Sequence, residues 1–370
     1  MTQELMTLQA GEVTTAEVTF WTIVDQWLEE LKTAKKRQTR TLEAYRYNMG
    51  VFKKWLDAQG IVQATRQDVK NWNNAMEANG WKPATRNAYL ATVRSFYKWL
   101  NEEHGIDNIA IGISGWQDTK EHKRGFLAMK DMKKLLAVVE PTVETRIADK
   151  KEELEKKKQK AEQNGKTFNY ENFLKHFERI AHLQGIRDKA ILAALMVGGL
   201  RTIEISRLRI VDLTQDGGAC VLNVLGKGRN ERETVKISRK TETLIQDWLA
   251  AREAVDTVSG KSPLFCSLGN NSFGEPITSL SVSRLCKKYL RAAELNEKEY
   301  QRGNDEVVVK PVTAHSLRGS CATNAFLAGA PLDKVKQQLR HRNLATTQIY
   351  LEEAEKFKNP VADLISDGIF

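Results

Sequence analysis

Cysteine is scarce in this chain: there are four in 370 residues (Cys220, Cys266, Cys286 and Cys321), and no two form a CxxC pair. That spacing excludes a zinc ribbon and a disulfide framework, and it reads as reduced thiols in a cytoplasmic protein. No run approaches the roughly 18 uninterrupted apolar residues of a membrane span, so no membrane partner is expected. The opening MTQELMTLQAGEVTTAEV lacks the basic start and apolar block of a secretory signal. Motifs for common cofactors are absent as well. There is no GxxxxGK[ST] phosphate loop, no GxGxxG after a strand, no HExxH and no GxSxG elbow. The six histidines do not cluster with the cysteines, and His176 and His182 stand six apart, a poor spacing for metal ligands. No acidic cluster suggests a two-metal nuclease. The expectation is chemistry without metal, cofactor or ATP. Finally, residues 1–30 hold six acids and no lysine or arginine.

The positive charge lies further along. Lys+Arg number 57 against 47 Asp+Glu, a net +10. Residues 31–54 carry eight bases (Lys32, Lys35, Lys36, Arg37, Arg40, Arg46, Lys53, Lys54) against the single acid Glu43. Such a patch suits a polyanion, usually nucleic acid, although a solvated helix face reads the same way. Arg86 joins this set as a candidate DNA contact.

At 370 residues the chain suits two domains, and it can bury a full core without staples. Residues 1–16 read as an acidic tail. Residues 17–105 read as an all-α bundle. Phe20, Ile23, Val24, Trp27, Leu28 and Leu31 follow helical spacing, and Tyr45, Met49, Phe52 and Leu56 give a second helix. Thr65 is a plausible N-cap with Asp68 three residues on; Val69, Trp72 and Met76 follow, and the helix stops near Gly80. Leu90, Val93, Phe96, Tyr97 and Leu100 make a fourth helix, ending near Gly105. Seven of the eight tryptophans fall in residues 1–116, at spacings that suit a core better than base-stacking platforms. Residues 106–125 lack helical period and read as a linker.

Residues 126–357 read as an α+β domain, mostly helical with a small antiparallel sheet. Within it, 142–182 is nearly all charge and reads as an inserted helical hairpin, with Phe173, Phe177 and Ile180 on one face. RDKAILAALMVGGL is a buried helix. IVDLT, ACVLNVL and ETVKI read as strands, the last two joined by the glycine-rich GKGRNER. Helices are expected at about 239–254, 279–293, 317–328, 331–339 and 345–356, and residues 358–370 form a tail broken by Pro360.

The chemistry-bearing residues of this half are cationic. Arg201 follows Gly-Gly-Leu, with Glu204 three residues on. Lys227 lies in the glycine-rich turn. His315 and Arg318 share AHSLRGS, His341 lies in LRHRNL, and Tyr350 in TTQIYL. Each alone has a bland reading as a surface pair or a packing residue. Together, GGLRTIEISRLRIVDL, GKGRNERETVKI and AHSLRGSCATNAFLAGAPLDKVKQQLRHRNLATTQIYL resemble the tyrosine recombinase, or phage integrase, family over nearly the whole chain. The helical N-terminal part resembles that family's core-binding domain, through its Thr41/Tyr45/Phe52/Trp55 and Thr85/Tyr89/Phe96/Trp99 patterns. Two positions depart. The family usually has glycine before the second histidine, where this chain has Arg340. It often has histidine after the second arginine, where this chain has Gly319. The 142–182 segment is longer than usual, and the resemblance is to the simple type without an arm-binding domain.

The resemblance implies Arg201, Lys227, His315, Arg318, His341 and Tyr350 as catalytic residues, with Glu204 supporting Arg201. Two guanidiniums suit a phosphodiester because each is always charged and forks onto non-bridging oxygens. Tyr350 would be the nucleophile and His315 the proton acceptor; its ordinary pKa of about 10 requires a base or a cationic pocket. Lys227 would protonate the leaving 5′-oxygen, and His341 would hydrogen-bond the phosphate. The product would be a 3′-phosphotyrosyl link that conserves bond energy. Implied partners are duplex DNA with an inverted-repeat core site, clamped between the two domains, and a homotetramer on synapsed DNA. C-terminal tails would be exchanged between protomers, with possible accessory DNA-bending factors, in a cytoplasmic, nucleoid-associated setting. The competing readings are a type IB topoisomerase, which shares the catalytic set, and a non-catalytic DNA-binding protein on the same scaffold.

Overall fold

The structure is a computed structural model that describes residues 13–116, 125–226, 231–302 and 306–358. The chain divides into two units, residues 1–120 and 121–370. The acidic tail lies mostly outside the described residues, as do most of the C-terminal tail and the centre of the glycine-rich turn.

The first unit consists of α1 (Val13–Thr33), α2 (Thr39–Ala58), α3 (Arg66–Ala78) and α4 (Pro83–His104). The capping box read from sequence is present: the Asp68 amide donates to the Thr65 hydroxyl at 3.3 Å, and the Thr65 amide to the Asp68 carboxylate at 2.8 Å. Proline at the first position of α4 needs no amide partner there, and Gly105 ends the helix in the left-handed conformation at φ 66°. Trp27, Met49, Phe52, Trp72, Leu90 and Phe96 form the core. Phe52 and Trp72 pack with centroids 4.7 Å apart, and Trp27 stacks on Tyr45 at 5.4 Å.

The segment read as a linker behaves differently in its first half. Ala110 and Ile113 are buried in the core of this unit, and the Asn87 side chain makes two 2.9 Å hydrogen bonds to the Trp116 backbone. Apolar residues without helical period pack here as irregular structure, which a periodicity criterion does not detect. Residues 117–124 of that reading lie outside the described residues.

The second unit opens with α5 (Met129–Ala137), α6 (Val139–Gln163) and α7 (Tyr170–Met196). The charged stretch lies on α6 and the first half of α7, and it is joined seamlessly to the domain. α6 buries a narrow stripe (Val139, Val143, Ile147, Leu154), and α7 runs unbroken from the charged face into the buried Ala190–Met196 core. After α8 (Thr202–Arg207), strands β1 (Leu213–Asp216), β2 (Ala219–Leu225) and β3 (Arg232–Lys236) form an antiparallel meander. Its register pairs Leu213 with Leu222 and Leu222 with Val235, so one apolar face meets the core. α9 (Arg239–Glu253) and α10 (Ser279–Ala292) follow, then a two-stranded hairpin, β4 (Glu297–Arg302) and β5 (Glu306–Pro311), not read from the sequence. The chain closes with α11 (Ala314–Leu327), α12 (Leu332–Leu339) and α13 (Ala345–Lys358). These three share a small core of Ala322, Phe326, Val335, Leu339, Tyr350 and Ala354.

Candidate active site

The GGLR turn between α7 and α8 builds the centre of the site. Gly199 adopts φ 62°, and a Cβ there would stand 2.7 Å from Leu339 Cδ2 and 3.3 Å from Cys321 Sγ. Only glycine lets this turn touch the middle of α11 and the end of α12 at once. The turn delivers Arg201 to the N-cap of α8, with its side chain 29% exposed.

Glu204 is fully buried beneath it. Its Oε1 accepts from Arg201 Nη1 at 2.7 Å, and its Oε2 accepts from the Arg201 amide and from Arg340 Nη2, each at 2.7 Å. Burial alone would raise the Glu204 pKa. Arg340, the Arg201 amide and the guanidiniums of Arg201 and Arg318 outweigh it and hold the group below its ordinary value. Arg318, on α11, is buried. Its guanidinium donates from one arm to the Gly199 carbonyl and from the other to the Leu339 carbonyl. Burial and the neighbouring Arg201 and Arg340 charges pull its pKa down to about 9, which leaves it charged at neutral pH.

His341 follows Arg340 at the end of α12. Its Nδ1 pairs with the Thr347 hydroxyl at 2.9 Å, and its ring lies near-parallel to that of Tyr350 with centroids 6.2 Å apart. Tyr350, on α13, is 5% exposed, and its ring lies directly over Gly319 of α11. His315 stands exposed in the first turn of α11, within electrostatic reach of His341. The structure therefore brings Arg201, Glu204, His315, Arg318, His341 and Tyr350 to one place. Lys227 lies outside the described residues; the flanking β2 and β3 are described.

Two contributors escaped the sequence reading. Thr347 holds the His341 ring. Arg340, which the motif comparison marks only as a missing glycine, enters the site as a third guanidinium. Arg340 and His341 also line an open cavity of about 700 Å³, together with Glu233, Asp333, Lys336 and Gln337.

The electrostatics yield a pH prediction. Burial, then the charges of Arg318, Arg201, Arg340 and His315, lowers the His341 pKa from 6.5 to about 3. Between these values the unfolded chain binds a proton that the folded chain does not. Stability is therefore lost as pH falls from 6.5 towards 3. Glu204 contributes only near and below its ordinary value of 4.5, so the interval from 6.5 to 4.5 separates the two groups. Urea unfolding at pH 7 and pH 5 should show a drop for the wild type and a smaller one for His341→Asn.

The candidate DNA contacts on the first unit divide. Lys32, Lys35, Lys36, Arg37, Arg40 and Lys54 are exposed. Arg40, Tyr47 and Lys54, seven residues apart, share one face of α2, and Tyr47 is 66% exposed. Lys32 pairs with Glu29, Arg46 with Asp25, and Lys53 with Asp57. Arg86 is a correction to the sequence reading. Its side chain is buried, lies 3.7 Å from the Trp116 ring centroid and pairs with Glu77 at 3.3 Å, so it holds the 106–116 segment in place of presenting charge to a ligand.

Comparison with known proteins shows the family and the fold. Residues 163–356 match the phage integrase family, and residues 24–104 match the phage integrase N-terminal SAM-like domain. The tyrosine recombinase XerD of Staphylococcus saprophyticus is 22% identical over 333 residues, covering 89% of this chain and 93% of that protein. The tyrosine recombinase XerC of Pelobacter propionicus is 32% identical over 166 residues, 45% of this chain and 47% of that protein. Among solved structures, the XerH site-specific recombinase bound to palindromic difH substrate in a post-cleavage complex aligns with TM-score 0.62 at 16% identity, covering 93% of this chain and 85% of that one. The Tn1549 transposon integrase with transposon right end DNA aligns with TM-score 0.58 at 14% identity, covering 92% and 99%.

Proposed function

The chain belongs to the phage integrase family, and on that premise we propose that it is a site-specific DNA recombinase whose nucleophile is Tyr350. The observation that carries this reading is the convergence of Tyr350 with Arg318, His341 and Arg201 inside one unit. Related proteins are named as tyrosine recombinases, and structural neighbours are bound to DNA core sites and transposon ends.

In this reading a scissile phosphate sits against Arg201 and Arg318, whose forks stabilise the charge that develops on its non-bridging oxygens. Arg201 is held by Glu204 and retains donors facing outward. In the tautomer whose Nδ1 accepts from the Thr347 hydroxyl, a neutral His341 carries its proton on Nε2 and donates it towards the phosphate. Neutrality matters, since a fixed tautomer at physiological pH gives one defined donor. The Tyr350 oxygen attacks phosphorus, the P–O5′ bond breaks, and the tyrosine proton passes to His315. Lys227 supplies a proton to the departing 5′-oxygen. The products are a 3′-phosphotyrosyl bond and a free 5′-hydroxyl, and attack by another 5′-hydroxyl reverses the step. No net bond energy is lost, so neither ATP nor metal is needed.

The exposed bases from Lys32 to Lys54 would contact phosphates of the duplex, which gives binding a steep salt dependence. An inverted-repeat core site and a homotetramer with exchanged C-terminal tails complete the proposal; accessory bending factors are compatible with it. The test is covalent trapping. Protein is incubated in EDTA with fragmented host DNA, stopped with SDS, and the linked DNA is sequenced, with Tyr350→Phe as control. Adducts at one or two inverted-repeat sites, absent from the control, are expected. Adducts scattered without sequence preference would replace recombination with topoisomerase-like relaxation. No adducts from a DNA-binding wild type would contradict the enzyme reading.

A further inference from the structure

Arg340 is a buried charged group in the site that the reaction scheme above leaves unused. Its backbone adopts the left-handed conformation, φ 55° and ψ 46°, at the C-cap of α12. Glycine takes that conformation freely, whereas a long side chain takes it at a cost. The side chain is nonetheless buried, and both Nη atoms are bonded. Nη2 donates to Glu204 Oε2 at 2.7 Å and lies 3.5 Å from the Gly199 carbonyl, while Nη1 donates to the Gln338 carbonyl at 2.6 Å. Glu204 is thus gripped from both edges: Arg201 holds Oε1 and Arg340 holds Oε2. The Gly199 carbonyl, in turn, faces both Arg318 and Arg340.

We propose that Arg340 is a positioning residue of the phosphate site, which fixes the Arg201 guanidinium through Glu204 and neutralises the Glu204 carboxylate so that Arg201 keeps its full charge for the phosphate. The inference rests on the recombinase reading. With Glu204 shared between two guanidiniums, the cluster of Arg201, Arg318, Arg340 and Glu204 carries a net charge of plus two. Without Arg340 it carries plus one. A phosphodiester monoanion gains a second negative charge as the tyrosine oxygen adds to phosphorus, so the extra charge matters most in the transition state. The bonds that Arg340 makes run to Glu204 and to the Gln338 and Gly199 carbonyls, so its effect on the phosphate is assigned to the field and to Arg201. A residue that only stabilised the fold would slow all substrates alike. One that maintains the field at phosphorus would matter less when the phosphate is neutral.

The experiment uses the full-length protein and a suicide duplex containing the trapped site, with either a phosphodiester or an uncharged methylphosphonate at the scissile position. Arg340→Gly suits the left-handed backbone and should fold; Arg340→Gln, which keeps a side chain able to bond Glu204 but loses the charge, serves if it does not. The expected result is single-turnover cleavage of the phosphodiester slowed at least about tenfold, with DNA affinity within about twofold of wild type. On the methylphosphonate the deficit should largely disappear. Phosphodiester cleavage at the wild-type rate would overturn the proposal, as would an equal deficit on both substrates. Failure of the underlying reading looks different, because then the wild type itself forms no Tyr350-dependent adduct.

Discussion

Arg318→Ala is expected to lose strand cleavage by about 10³–10⁵-fold and to destabilise the catalytic unit by about 3–5 kcal/mol. Both effects come from one group. The guanidinium is 1% exposed and ties the Gly199 carbonyl to the Leu339 carbonyl. Its removal leaves two buried acceptors without these donors and opens a space between the GGLR turn and the end of α12. Those two segments carry Arg201 and His341, so the damage spreads to the rest of the site. Arg318→Lys keeps the charge but has one donor centre in place of a fork, and cannot span both carbonyls. It should recover part of the stability and little of the cleavage. Thermal unfolding, DNA binding and single-turnover cleavage of a suicide duplex separate these terms. Cleavage within about tenfold of wild type for Arg318→Ala would show that the phosphate is held elsewhere.

Gly319→Ala should slow cleavage by about 100-fold while changing stability little. A Cβ at position 319 would stand 2.9 Å from Tyr350 Cε1, closer than any relaxed contact. The methyl group cannot retreat, because it is fixed to the backbone of α11. Tyr350 must move, and a nucleophile displaced by about 1 Å can lose about two orders of magnitude in rate. Against this, alanine inside a helix is favoured over glycine by about 0.5–1 kcal/mol, which offsets the strain of moving the ring. The predicted signature is therefore a folded, DNA-binding protein that cleaves slowly. A wild-type rate would mean that Tyr350 reaches the phosphate from a different position than the one in this structure.

Much of the fold and of the site is legible in the sequence because it consists of short segments with local rules. The Thr65/Asp68 capping box, the apolar periodicity of α2 and the left-handed Gly105 follow from neighbouring residues alone. The ordered set from Arg201 to Tyr350 is recognisable by residue type and spacing. Other features depend on partners distant in sequence. Gly185 looks like a break between two helices, yet α7 runs through it. The glycine is there because a Cβ would meet Val143 of α6 at 2.9 Å. The α6 stripe is one residue wide, too thin to stand out against its lysines and glutamates. The β4–β5 hairpin begins with the charged run EKEYQR, which lacks the alternation of a half-buried strand. Arg86 was counted with the basic patch because charge alone does not reveal that an indole covers it. Arg340 was visible only as a glycine not present; its bond to Glu204 joins residues 136 apart in sequence.

The central claim is that Tyr350 becomes linked to the 3′ side of the cut. The measurement that tests it most directly is analysis of the adduct trapped on a suicide duplex. After nuclease and protease digestion, mass spectrometry should find the nucleotide on the peptide containing Tyr350 and on no other. The released strand should accept a labelled phosphate at its 5′ end without prior phosphatase treatment, as a free 5′-hydroxyl must. Attachment at another residue, or a released 5′-phosphate that blocks labelling, would contradict the account.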